Sequence, residues 1–323
     1  MRSGAGTTRS SKVLFLATAL IVYCVAKLRS WCRGWGQPGA LIGCLLAAKV
    51  LAGPVILVPG PQNIEGQESR RQLWLVPSQD PAVPMLTTVF RPPGPGPFPM
   101  VLMKHGATQS GLERQFYPLL EFEAAALWFV QRGHAVVAPQ RSGYGETGGP
   151  FFDDMGNCEN PDFRSSGLAI AESAAWAIDY MTTVPFIQND RIIVVGQSAG
   201  GFGSIALAGQ NPAGVRGIIN FSGGRGGHAQ GRPHTNCAPD RLVQVVAEFG
   251  RTARTPMLWI YTENDSFFGP ALSKRMYEAF RSAGGNAEYH LLPGFQDEGH
   301  YFIDAPEAVA IWAPIVTKFL VEH

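Results

Sequence analysis

The chain has 323 residues, 46% hydrophobic and 16% charged, with a formal net charge of +1. A charged share below the usual quarter excludes an intrinsically disordered chain, and the near-zero net charge argues against a nucleic-acid binder held by phosphate contacts. The length suits one large α/β domain.

The charge is unevenly spread. Residues 1–64 carry seven basic side chains (Arg2, Arg9, Lys12, Lys27, Arg29, Arg33, Lys49) and no acidic one. The remainder holds 19 basic against 25 acidic residues, a net of −6. Two apolar stretches, Val13–Ala26 and Ala40–Ala48, lie in this segment. The first is shorter than the roughly 20 residues a membrane helix needs. The pattern predicts a targeting or anchor segment over 1–64 ahead of a catalytic domain over 65–323. Export to the periplasm or medium is expected, and any membrane association would run through this segment alone. The alternative is a cytoplasmic enzyme with an extraneous N-terminus. Of five cysteines, Cys158 and Cys237 alone lie in the body, both in polar loops. An even pair in an exported chain predicts a disulfide, with two unrelated thiols as the alternative.

From Gln72 the chain alternates apolar runs with helical patterns. Gln72–Ser78 and Leu86–Pro92 read as an opening hairpin. Pro99–Gly106 reads as a buried strand, Leu119–Arg132 as a helix and His134–Gln140 as the next strand. Arg164–Thr183 follows as a helix. Arg191–Ser198 is a strongly apolar strand, with a small-residue helix at Ala199–Gly209 directly behind it. Val215–Gly223, Pro256–Asp265 and Ala287–Gly294 complete eight strands. Helices at Arg241–Phe249, Pro270–Ala283 and Pro306–Val321 separate and follow them. This alternation predicts a mostly parallel eight-stranded sheet with helices on both faces. Its site should lie at the carboxyl ends of the strands.

One of those ends carries Gly196-Gln197-Ser198-Ala199-Gly200, a G-x-S-x-G between strand and helix. That is the context of a nucleophile elbow, in which a strained turn exposes the serine hydroxyl. Gly196, Gly200 and Gly201 keep the crossing narrow. A serine needs a general base, and the base an orienting carboxylate, in the order Ser, Asp or Glu, His. His300 follows the last strand on a loop and is the expected base; His290 sits inside a strand pattern and His323 at the chain end. Asp265 ends the strand before and is the expected acid, with Glu263 its rival. Asp297 and Glu298 are expected to face solvent. The oxyanion donors are expected to be the amides of Ala199 and Ala107. His105 is read as shaping that second loop, with a catalytic role as the alternative.

These residues together resemble the α/β-hydrolases, in the compact group of dienelactone-hydrolase-like and prolyl-oligopeptidase-like catalytic domains. The resemblance covers Gln72 to the C-terminus. It rests on His105-Gly106, Arg141-Ser142-Gly143-Tyr144-Gly145, Gly196–Gly200, Asp265 and His300. Dienelactone hydrolases proper carry a cysteine where this chain has Ser198. The resemblance implies the α/β-hydrolase fold, and Ser222–Asp240, polar and Gly-rich, replaces a large apolar lid. The expected activity is hydrolysis of small or medium carboxylic esters through an acyl-enzyme, with no cofactor and no metal. A peptidase or amidase on the same triad is the alternative, and a non-catalytic binding protein a third reading. His228, His234 and Cys237 fit no standard zinc spacing. Phe151, Phe152, Phe267 and Phe268 are candidates for lining the substrate pocket.

Overall fold

The computed structural model describes residues 57–108, 110–119 and 122–323. The expectations for the N-terminal leader fall almost wholly on residues 1–56, outside the described residues. Among the described residues nine strands form one sheet: β1 (Gly60–Pro61), β2 (Gln72–Val76), β3 (Met85–Phe90), β4 (Phe98–Lys104), β5 (Ala135–Pro139), β6 (Ile187–Gln197), β7 (Val215–Phe221), β8 (Met257–Thr262) and β9 (Ala287–Leu292). Their order is β1-β2-β3-β5-β4-β6-β7-β8-β9. β2 and β3 form the expected antiparallel hairpin, and β3 meets β5 antiparallel. From β5 to β9 every pairing is parallel. The sheet exceeds the expected eight strands by β1, whose two residues pair with Trp74 and Leu75. A Gly-Pro dipeptide carries no alternation, so no sequence pattern could announce it.

Among the described residues seven α-helices accompany the sheet: α1 (Gly111–Gln115), α2 (Glu123–Val130), α3 (Phe163–Met181), α4 (Ala199–Ala208), α5 (Pro239–Gly250), α6 (Pro270–Ser282) and α7 (Val309–Glu322). The central strands read as continuous apolar runs because both faces are covered. Their two-residue period sorts the side chains into two cores. Met100, Leu102, Ile192, Val194 and Trp259 face one side, packed with Phe202 of α4, Phe249 of α5 and Phe280 of α6. Val101, Met103, Ile193, Val195 and Ile260 face the other, packed with Phe129 of α2 and Trp312 of α7.

The helix expected over Leu119–Arg132 is shorter, Glu123–Val130, and α1 precedes it unannounced. Ser110 starts α1 with a reciprocal capping box to Glu113, a local signal the apolar pattern does not carry. The last helix begins at Val309 instead of Pro306, after a 3₁₀ turn at Pro306–Ala308. No described helix is long and apolar enough to cross a membrane.

Candidate active site

Parallel strands end together, so the loops after β4, β6, β8 and β9 gather at one edge. The tightest of them is the turn after β6. Ser198 sits at φ 51°, ψ −119°, a conformation costing an L-residue about 1–3 kcal/mol unless its surroundings enforce it. Here the neighbours do so. The Ser198 N–H donates to Phe221 O at 3.0 Å, and its carbonyl accepts from Phe202 N at 2.9 Å and Gly224 N at 3.1 Å.

The flanking glycines are required by close approach. A Cβ on Gly196 would lie 2.4 Å from Gly200 O, and one on Gly200 would lie 2.2 Å from Lys104 O and 2.6 Å from His105 O. Those are backbone atoms, so α4 would have to leave β4. Gly200→Ala is therefore expected to destabilise the fold by about 3 kcal/mol, read as a lower urea midpoint.

Across the edge, Asp265 and His300 form a buried pair, their side chains 0% and 1% exposed. His300 Nδ1–H donates to the carboxylate, 3.1 Å from Oδ1 and 3.2 Å from Oδ2. Asp265 Oδ1 also accepts the backbone N–H groups of Phe267 and Phe268, both at 2.8 Å. Burial alone would raise the Asp265 pKa. The facing imidazole and these amide donors outweigh it and hold the carboxyl below the ordinary aspartate value.

Ser198, Ala199 and Ala107 line one cavity of about 250 Å³ together with Phe151, Phe267 and Phe268. Phe267 stacks on the His300 ring at 4.1 Å, and Phe268 packs against it at 5.6 Å. Gln197, adjacent to Ser198, donates from Nε2 to His300 O at 3.0 Å. The serine and histidine segments thus run side by side. Phe152, in contrast, is exposed and does not line the cavity.

The rivals sit elsewhere. Glu263 is exposed. His290 lies 3.6 Å from Glu288 on β9, and His323 packs on Phe319 at the chain end. Cys237 is bonded to Cys158, the Cα atoms 4.9 Å apart, and both cysteines lie in the cavity wall. The bridge closes a 79-residue separation. Cys158→Ser with Cys237→Ser is expected to lower stability by about 2–4 kcal/mol, measured by denaturant melts under oxidising conditions.

Three features escaped sequence reasoning. Glu298 is not solvated as expected. It accepts the backbone N–H of His300 at 2.9 Å and that of Ser266 at 3.2 Å, and also the Ser266 hydroxyl. The acid loop and the histidine loop are thereby tied twice, once through Asp265 and once through Glu298. His228 stacks on Phe267 at 3.5 Å and donates from Nε2 to Ser266 Oγ at 2.7 Å. Asp153 pairs with Arg141 at 3.2 Å, the two side chains 3% and 4% exposed. Nothing in the run Phe151-Phe152-Asp153-Asp154 separates the buried aspartate from its neighbour, which is exposed.

Comparison with known proteins bears on the family and the fold. The family model of the dienelactone hydrolase family matches residues 87–310. No curated protein sequence matches the chain. Among solved structures, a candidate dienelactone hydrolase from Klebsiella pneumoniae subsp. pneumoniae MGH 78578 is 15% identical, with TM-score 0.55 over 78% of this chain and 98% of its own. An esterase from Pyrococcus furiosus is 15% identical, with TM-score 0.58 over 82% and 97%. Dipeptidyl peptidase 4 from Porphyromonas gingivalis is 13% identical, with TM-score 0.59 over 79% of this chain but 36% of its own. At these identities the structures share the fold, while the family match spans more than half the sequence. The chain belongs to the dienelactone hydrolase family and is a hydrolase of the α/β-hydrolase fold.

Proposed function

We propose that the chain is a serine hydrolase that cleaves carboxylic esters through an acyl-enzyme. The observations that carry the reading are the buried Asp265–His300 pair, its histidine segment hydrogen-bonded to the residue before Ser198, and a serine held at positive φ in the wall of one cavity. In this reading Ser198 Oγ attacks the ester carbonyl while its proton passes to His300 Nε2. Asp265 keeps the other imidazole proton on Nδ1 and stabilises the imidazolium. The amides of Ala107 and Ala199 receive the oxyanion, the latter in the first turn of α4, where N–H groups lack helical partners. His300 then returns the proton to the leaving alcohol. Water, deprotonated by His300, releases the acid and restores Ser198.

A cavity of about 250 Å³ suits a small ester. Fluorophosphonate labelling followed by p-nitrophenyl esters against aminoacyl-anilides tests the assignment. Labelling at Ser198 with ester turnover is expected. Faster anilide cleavage would make the chain a peptidase or amidase, and absence of labelling would leave a binding protein. Export is part of the proposal, because a Cys158–Cys237 bridge suits an oxidising compartment. N-terminal sequencing of the mature protein tests it.

A further inference from the structure

The loop after β4 carries Ala107, and the atoms behind it are organised around one peptide group. The carbonyl of Gly106 belongs to the same peptide as the N–H of Ala107. It accepts from Arg141 Nη2 at 2.8 Å and from His105 Nδ1 at 2.9 Å. The tautomer follows from the other ring nitrogen: His105 Nε2 accepts the backbone N–H of Arg141 at 3.0 Å, so the ring proton is on Nδ1. Arg141 Nη1 holds the preceding carbonyl, His105 O, at 2.6 Å.

The scaffold is buried. The His105 ring packs against Tyr117 at 4.7 Å and Tyr144 at 4.8 Å. Asp153 fixes the guanidinium and accepts the Tyr144 hydroxyl at 3.0 Å. Burial, with the neighbouring Asp153 charge, pushes the Tyr144 pKa up to about 12, so that hydroxyl keeps its proton. Burial, with the Arg141 charge beside it, keeps His105 well below the ordinary histidine value and hence neutral.

Two consequences follow from elementary amide chemistry. A trans peptide is planar with N–H opposed to C=O. Anchoring the Gly106 carbonyl on the buried side therefore turns the Ala107 N–H away from Arg141. Donors on a carbonyl also withdraw density from the attached N–H and strengthen it as a donor, most when one donor is charged and the surroundings are of low dielectric. The loop lies against the nucleophile: a Cβ on Gly106 would stand 3.3 Å from Ser198 Cβ and 2.6 Å from Gln197 Oε1.

We infer that Arg141 and His105 are positioning residues that aim and polarise the Gly106–Ala107 peptide as an oxyanion donor, a role that rests on the serine-hydrolase reading above. Neither touches the substrate; both act through one peptide bond. Arg141 does so with a permanent charge, and His105 does so as a neutral donor.

The test compares matched oxo and thiono esters of one aryl alcohol, since sulfur is the poorer acceptor from N–H donors. Arg141→Lys removes one arm of the fork, and His105→Phe removes the Nδ1 donor but keeps a ring between the tyrosines. Each is expected to lower kcat on the oxo ester about tenfold with KM within about twofold. Each should also lower the oxo-to-thiono rate ratio by a similar factor. A merely structural role would slow both esters alike, and an unchanged ratio in folded variants overturns the inference. Where a variant fails to fold, the wild-type protein carries the test. The ¹³C resonance of the Gly106 carbonyl should lie downfield, as for a carbonyl with two donors, and an ordinary position overturns it. Wild-type enzyme that labels with fluorophosphonate and loses activity in Ser198→Ala, yet shows no ratio change in the variants, rejects this inference alone. Wild-type enzyme that does not label rejects the serine-hydrolase reading itself.

Discussion

Ser198→Ala is expected to lower kcat on a p-nitrophenyl ester by about 10⁴-fold or more and to abolish fluorophosphonate labelling. The covalent path needs that oxygen, and no other hydroxyl occupies the elbow. The fold should survive. The turn is held by the backbone N–H to Phe221 O and by the carbonyl, which accepts from Phe202 and Gly224, and none of these bonds uses Ser198 Oγ. Alanine at φ 51° keeps the existing backbone cost without adding a group. The urea midpoint should therefore stay close to that of the wild type while turnover collapses. Wild-type rates in a folded Ser198→Ala protein would reject the acyl-enzyme mechanism.

Asp265→Asn should lower kcat by a comparable factor, about 10⁴-fold, for a different reason. Oδ1 accepts two backbone N–H groups, so an asparagine keeps its oxygen there. Its amide nitrogen then occupies the Oδ2 position, 3.2 Å from His300 Nδ1. The amide N–H then competes with Oδ1, 3.1 Å from Nδ1, for that ring nitrogen and favours the tautomer with its proton on Nε2, the atom that has to receive the Ser198 proton. The base is present but in the wrong tautomer. Substrate binding does not use this pair, so KM should change far less than kcat. Stability should respond to pH as well. The folded carboxyl of Asp265 titrates below its unfolded value, so its stabilising contribution is present above about pH 3.9 and is lost as pH falls through the folded value. Asp265→Asn removes that contribution. The stability gap between wild type and variant should narrow in acid, and a gap independent of pH would show that the ionised pair does not hold the loops together.

The elbow was legible because its requirements are local. An apolar run, a G-x-S-x-G and a small-residue helix are adjacent in the chain, and the structure keeps them adjacent. The sheet pattern was legible because side chains buried on both faces leave apolar runs such as Met100–Met103, Ala135–Ala138, Ile192–Val195 and Met257–Tyr261. The missed elements lacked such signals. β1 is two residues long, and α1 depends on a capping box instead of an apolar stripe. Glu298 was misread because its partners, Ser266 and the His300 backbone, meet only after two loops fold against each other.

The amino-acid sequence by itself determined the parallel α/β architecture, the family and the order in which serine, acid and histidine occur, because periodicity and neighbouring residue types encode those directly. Only the tertiary structure decided which polar groups meet. Asp265 and His300 are 35 residues apart, and Arg141 reaches back 35 residues to Gly106 and forward 12 to Asp153. Strand ends converge at distances set by sheet register and loop closure, and those quantities depend on the packing of the whole core rather than on any local pattern.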